Sequence, residues 1–478
     1  MKLIVLGGGP AGVNAALQAR ELHAEVTLIE SKIVGGTSIN EGPAPVRTLA
    51  RAARLVRDAQ SWETFGLKGD RPKIDLPAVL ANANRVALYA HEEKHLSEFI
   101  RSRDIELIEG TGPASFLDPH TIDIANGRAQ HADKIIIAVG GRGRKLGIPG
   151  GELGLTYDDI RSLKVLPESI AVVGGAATGC QLASILADFG SKVNLLELFP
   201  RLIPQEDEDV SSALADAFEK KGINVVTGAA TEKLVKIDEG IQLHYRRRDF
   251  AAILSIGAVF FAVGWPADID SLNLGSAGVV TERGYIPVND FLQTNVPHIF
   301  AAGDVNGKSM LVQSARSEGR IAAENSVIGP YRRFIHEIVP SGSFTDPEYA
   351  SVGLTEDKAR ENYDCAVAVV HYDDLLRPVI DAHPEGFCKL IVERRSHHIL
   401  GAHVLGEYSV EIIQMVAACM AGDMKVEQVA ELQLAYPTFT EAVGLAAQKL
   451  VREMGLAPFP QMWSDVKPQF EKLNDLVP

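Results

Sequence analysis

Two stretches of this chain repeat one local pattern, and that pattern admits few folds. Lys2-Leu-Ile-Val-Leu6 is a short apolar run, followed at once by Gly7-Gly-Gly9-Pro10-Ala-Gly12. A helical segment from Val13 to about Leu22 comes next, and Glu25-Val-Thr-Leu-Ile29 reads as a second strand ending in Glu30. An unbroken apolar run predicts a parallel strand covered on both faces. Gly7 makes the tight turn, Gly9 lets a pyrophosphate approach the backbone, and Gly12 lets the helix lie close on the strand. The helix N-terminus favours phosphate charge, and Glu30 can accept hydrogen bonds from a ribose diol. A lone GxGxxG is weak evidence. Strand, turn, helix, strand and acid within about thirty residues predict a dinucleotide site.

The second copy runs Ser169-Ile-Ala-Val-Val173, then Gly174-Gly-Ala176-Ala-Thr-Gly179, a helix to about Phe189, the strand Lys192-Val-Asn-Leu-Leu196, and Glu197. Ala176 stands at the middle-glycine place, where its methyl weakens binding or shifts the nucleotide. The unit is therefore either a working nucleotide site or a vestigial one. Glu197 accepts from both ribose hydroxyls of NAD and repels a 2′-phosphate, so NADH is expected over NADPH. Arg201, four residues on, could answer a phosphate instead.

At 478 residues the chain is expected to hold three or four domains. A net charge of −15 argues against nucleic acid or anionic membrane as the main partner. No apolar run reaches the ~18–20 residues of a membrane span. Met1 leads straight into a strand, so no signal or transit peptide and a cytoplasmic location are expected. Cys180, Cys365, Cys388 and Cys419 show neither CxxC pairing nor metal spacing and read as buried small hydrophobes. No metal is expected.

Gly35-Gly36-Thr37-Ser38-Ile39-Asn40-Glu41-Gly42-Pro43 resembles the active-site segment of the pyridine nucleotide–disulfide oxidoreductases, such as dihydrolipoamide dehydrogenase and mercuric reductase. The resemblance implies an α/β fold: two Rossmann-like dinucleotide-binding domains, for FAD and NAD, and a C-terminal α+β dimerisation domain. The expected boundaries are 1–149 and 267–336 for the FAD domain, 150–266 for the NAD domain and 337–478 for dimerisation, in a homodimer. The run Thr294 to Gly303-Asp304 resembles the family's second flavin motif, in which the Asp binds the ribityl chain. Met310-Leu-Val312 opens a helix that in the family points at the flavin. The resemblance assigns Gly7, Gly9, Pro10, Gly12, Glu30, Gly36, Thr37, Ser38, Arg47, Gly112, Gly140, Asp304 and Val312 to FAD. It assigns Gly174, Ala176, Gly179, Glu197 and Gly264 to NAD.

The family's chemistry is another matter. Its two redox cysteines fall at Ser38 and Pro43, and neither residue can perform thiol–disulfide exchange. Its acid–base His falls at Tyr436, in Tyr436-Pro437-Thr438, and a phenol of pKa ~10 is a poor proton shuttle near neutrality. Glu441, which orients that His in the family, remains; it either accepts from Tyr436 or faces solvent. Arg47 and Gln181 replace a Lys and a Glu beside the flavin, while Arg51, Arg54 and Arg57 read as a solvated face. Arg47, Gln181, Tyr436 and Glu441 are the candidate catalytic residues. The expected function is an FAD-dependent NADH oxidoreductase passing electrons directly to a small acceptor such as a quinone. A transhydrogenase, and a catalytically silent flavin-binding scaffold or sensor, are the alternatives. The tail from Met462 onward carries no cysteine to extend a relay.

Overall fold

The computed structural model describes residues 1–124, 127–335 and 338–460, and it divides into two compact units. Among the described residues, the first unit comprises 1–60, 69–200 and 222–335; the second comprises 61–68, 201–221 and 338–460. The tail from Met462 lies outside the described residues.

The first unit contains two parallel sheets of the same build. One has the order Ile299–Ala301, Lys134–Ile137, Lys2–Leu6, Glu25–Glu30, Ile105–Glu109. The other has the order Asn224–Thr227, Lys192–Glu197, Ser169–Val173, Ala258–Phe261, Leu155–Thr156. In each, the strand feeding the glycine turn lies between the strand that ends in the acid and the strand that leads to the exit glycine, Gly140 or Gly264. Val5, Leu28, Ile136, Val172, Leu195 and Phe260 are fully buried, which is why these strands read as unbroken apolar runs. A three-stranded antiparallel meander accompanies each sheet, at Ala114–Asp118, Thr121–Ile124 and Arg128–His131, and at Ala229–Ile237, Gly240–Arg247 and Phe250–Ile256.

Proline opens two helices. The first helix spans Pro10–Glu21, not Val13 onward, because Pro10 occupies its first turn, where a missing N–H costs nothing. Gly36–Asn40 is a short helix, and Pro43 opens the next helix, Pro43–Asp58. Arg54 is buried on that second helix rather than on a solvated face.

The second unit is built on an antiparallel sheet in the order Ser341–Ser343, Tyr349–Gly353, Ile399–Leu405, Phe387–Glu393, Cys365–His371. Helices Ser409–Ala421 and Glu441–Glu453 pack on it around Leu390, Val404, Ile412 and Val443. Cys388 and Cys419 lie in that core and Cys365 beside it, as expected of small hydrophobes. The helix Glu208–Lys220, inside the stretch assigned from sequence to the second nucleotide domain, groups with this unit. A buried ion cluster ties it there. Lys389 Nζ donates to Asp207 Oδ1 at 2.9 Å and Asp209 Oδ2 at 2.8 Å, and also pairs with Glu356. No helix among the described residues is long and apolar enough to cross a membrane.

Candidate functional site

The two glycine turns have nearly the same backbone. Gly7 and Gly174 lie at φ 99° and 108°, a region that favours glycine. Gly9 and Ala176, each the N-cap of its helix, lie at φ −78°, ψ −172° and φ −82°, ψ −174°. A Cβ on Gly12 would sit 1.7 Å from Gly7 O, and one on Gly179 would sit 1.7 Å from Gly174 O. The outer glycines are thus demanded by the protein's own packing. The middle position is not: a Cβ on Gly9 would meet nothing closer than Gly36 Cα at 3.7 Å. That space lies open at a helix N-terminus, the cradle a pyrophosphate needs. At the second turn the exposed methyl of Ala176 occupies the corresponding place.

Both acids close their turns. Glu30 Oε2 accepts from Gly8 N at 2.7 Å, and its Oε1 accepts from Lys32 N at 2.8 Å. Glu197, 5% exposed, accepts from Gly175 N and, at 2.8 Å, from Phe199 N. Arg201 is not poised for a phosphate: its guanidinium donates to Glu206 O at 2.9 Å and Pro204 O at 3.0 Å.

Several of the remaining first-unit candidates lie against the first turn. A Cβ on Gly36 would meet Gly9 Cα at 2.6 Å, so the Gly36–Asn40 helix is seated directly on the turn. Ser38 Oγ donates to Gly35 O at 3.0 Å, and Thr37 O accepts from Gly42 N at 2.6 Å. Gly112 N donates to Ser31 O at 3.1 Å, just past Glu30. On the other side, a Cβ on Gly319 would lie 2.0 Å from Ala11 O, which packs the Val312–Val327 helix onto Pro10–Glu21. Asp304 follows Gly303, and burial pushes its carboxyl up to about 6. Its neighbour Glu318 is fully buried, accepts from Gly303 N at 2.7 Å and Asn306 Nδ2 at 2.6 Å, and is pushed up to about 7, again by burial. Gly140 O accepts from Asp268 N at 3.1 Å, where the two exits run side by side. The half-buried Arg47 and Gln181 lie on helices Pro43–Asp58 and Ala177–Asp188, which pack together.

Two groups near this site carried no sequence signal. Tyr157 Oη donates to Glu41 O at 2.8 Å and pins the end of the Gly36–Asn40 helix. Beside it, burial and the charges of Glu41 and Asp159 push Asp158 up to about 6. Their sequence gives only a polar cluster between strands. In the second unit Tyr436 is 69% exposed, and Glu441 opens the Glu441–Glu453 helix. Glu441 is half-buried: its Oε2 is buried with no hydrogen-bond partner among the described residues, and burial raises its pKa.

Residues 1–319 match the family model "Pyridine nucleotide-disulphide oxidoreductase", and residues 339–447 match the dimerisation domain of the same family. Dihydrolipoyl dehydrogenase from Zymomonas mobilis subsp. mobilis is 32% identical over 453 residues, 92% of this chain and 96% of that protein. Mercuric reductase from Bacillus cereus is 31% identical over 447 residues, 93% of this chain and 70% of that protein. The structure of the HOCl-induced flavoprotein disulfide reductase RclA from Escherichia coli aligns with a TM-score of 0.83 at 26% identity, covering 94% of this chain and 99% of that one. With two nucleotide turns of one geometry and both family models matched in order, the chain belongs to the pyridine nucleotide-disulphide oxidoreductase family, whose members are FAD-containing and NAD(P)H-dependent.

Proposed function

We propose that this chain is an FAD-dependent NADH oxidoreductase that reduces a small acceptor such as a quinone directly, with no disulfide relay, as a homodimer. The observation that carries this reading is the lack of thiol chemistry at Gly35–Pro43. Ser38 and Pro43 stand where the family has its cysteines, and all four cysteines of the chain are free and buried. Bound FAD supplies the redox chemistry, taking hydride from NADH and releasing two electrons to the acceptor.

The chain's own residues bind and orient. Gly7, Gly9, Pro10 and Gly12 receive the flavin pyrophosphate, Glu30 the adenosine ribose, and Asp304 the ribityl chain. Gly36, Thr37, Ser38, Gly112, Gly140 and the Val312 helix end complete that site. A helix N-terminus there favours negative charge on the reduced ring. Gly174, Gly179, Glu197 and Gly264 receive NADH. The buried Glu197 carboxylate and the engaged Arg201 guanidinium both disfavour a 2′-phosphate, which speaks against transhydrogenation with NADP. Arg47 and Gln181 offer N–H donors to an acceptor oxygen as negative charge develops on it. Tyr436 and Glu441 come from the dimerisation unit.

The test is an anaerobic titration of the purified yellow protein with NADH. The flavin band is expected to bleach with no long-wavelength thiolate–flavin charge-transfer band, then to return when a quinone is added. A reduced flavin that persists with quinones, dyes and oxygen all offered would sink the reading.

Ala176→Gly is expected to separate affinity from stability. Removing the methyl from the cradle should tighten NADH roughly 10-fold, the effect of one misplaced carbon. Glycine also loosens the unfolded chain, costing about 0.4–1 kcal/mol. Stopped-flow reduction and thermal unfolding read the two effects, and unchanged NADH affinity would place the nucleotide away from Ala176.

A further inference from the structure

Glu318 is fully buried on the Val312–Val327 helix, and one of its oxygens serves both ends of the turn that carries Asp304. Glu318 Oε2 accepts from Gly303 N at 2.7 Å and from Asn306 Nδ2 at 2.6 Å. The turn between them closes on itself: Asn306 N donates to Gly303 O at 3.0 Å, and Gly307 N to Asp304 O at 3.1 Å. Asn306 Oδ1 accepts from Lys308 N at 2.9 Å, which leaves the amide nitrogen facing Glu318. Gly303 lies at φ 81°, ψ −161°, a conformation close to glycine's alone. A Cβ there would meet Ala11 Cβ at 3.1 Å and Ala315 Cβ at 3.4 Å. The start of the turn is therefore caught between the Pro10–Glu21 helix and the helix that carries Glu318.

We infer that Glu318 is a positioning residue for the flavin: its carboxyl oxygen clamps Gly303 and Asn306 together and so fixes the direction in which Asp304, between them, meets the ribityl chain, a role that rests on the reading of Asp304 as a flavin ligand. Burying a carboxyl group is costly, and an apolar side chain of similar volume would fill a purely structural position at lower cost. Both donors that compensate Glu318 Oε2 come from the turn around Asp304, not from its own helix. Gly303 and Asn306 are themselves buried. Without the Glu318 oxygen their two donors lose a partner where no water replaces it, and the turn must shift to recover one. Asp304 moves with that turn.

Glu318→Leu keeps most of the volume and removes the acceptor. FAD affinity, measured by titrating deflavinated protein, is expected to fall roughly 10–100-fold. Glu318→Gln returns an oxygen able to accept both bonds, and it should bind FAD within roughly 3-fold of the parent. A space-filling role would leave the two variants alike. Asp304→Ala should also weaken FAD, and adding Glu318→Leu to it should cost little more, because there is no carboxyl left to orient. A general packing role would cost the same in both backgrounds. If Asp304→Ala binds FAD as the parent does, the flavin reading of Asp304 falls and takes the positioning role with it. If Asp304→Ala weakens FAD while Glu318→Leu matches the parent, or Glu318→Gln is as damaged as Glu318→Leu, or the two losses multiply, the role of Glu318 alone is overturned. Should Glu318→Leu not fold, Asn306→Ala takes its place, since it removes one of the two donors. It should weaken FAD roughly 3–10-fold in the parent and hardly at all beside Asp304→Ala. No loss in the parent, or equal losses in both backgrounds, overturns the inference.

Discussion

Lys389→Met is expected to destabilise the C-terminal unit by about 3–5 kcal/mol. Lys389 is 3% exposed and Asp207 2% exposed, so the change strands a carboxylate with no water to take over. Burial by itself would push Asp207 up and Lys389 down. The hydrogen bonds from Glu356 N–H and Lys389, with the charge of Lys389, hold the Asp207 carboxyl below its ordinary range instead. Hydrogen bonds to Asp209, Glu356 and Asp207 hold Lys389 above its ordinary range. Glu356 behaves like Asp207: burial is outweighed by Lys389 and Arg360. The midpoint of denaturant unfolding in the full chain, followed by far-ultraviolet circular dichroism, measures the loss. A second change, Asp207→Asn, should recover part of it, because the stranded charge is the main penalty. A single variant as stable as the parent would mean the cluster contributes nothing.

The same cluster fixes the sign of the acid response. Asp207 and Glu356 are depressed, so their stabilisation is present above their unfolded values and is lost as pH falls through the folded ones, below about 4. His403 is fully buried, donates to Leu354 O at 3.0 Å and is kept neutral by burial. Its stabilisation is complete above the unfolded histidine value of about 6.5 and fades as pH drops below it. Lys389, being raised, keeps its contribution up to its unfolded value near 10.4 and loses it only above that. The melting temperature should therefore fall in two acid stages. The gap between parent and Lys389→Met should narrow in the second stage, as protonation removes the stranded charge. A gap independent of pH would argue that Lys389 acts by packing.

What could be read from sequence follows from how locally each feature is determined. The fingerprint turns were legible because Gly7 and Gly12, or Gly174 and Gly179, constrain each other across a single turn of chain. The parallel strands were legible because burial on both faces leaves an unbroken apolar run. The Lys389 cluster was not, because Lys389 and Asp207 stand 182 residues apart and each alone looks like a surface charge. Arg54 misled for a different reason: a helix face rich in arginine reads as solvated until another element covers it. The departures at Ser38, Pro43 and Tyr436 were legible only against the family pattern, because physics alone gives no reason to expect a cysteine or a histidine there.

Gly12→Val and Gly179→Val are geometrically the same injury, and they should have opposite consequences for colour. In both, the new Cβ meets a turn carbonyl at 1.7 Å, backbone that no flexible side chain can vacate. Helix and turn must part, and with them the N–H groups that would receive a pyrophosphate. Overpacking of this kind disrupts by about 1–3 kcal/mol or more, so each nucleotide should bind at least roughly 10–100-fold more weakly at its own turn. Gly12→Val is then expected to purify colourless or nearly so. Gly179→Val should purify yellow, with stoichiometric flavin that dithionite bleaches and NADH does not at the concentration that suffices for the parent. Flavin absorbance per mole of protein, followed by anaerobic reduction with each reagent, separates the outcomes. A yellow Gly12→Val would mean that flavin does not sit at the first turn. A Gly179→Val protein still bleached by NADH as readily as the parent would mean that the second turn, already altered by Ala176, no longer holds the nucleotide, and that NADH reaches the flavin by another path.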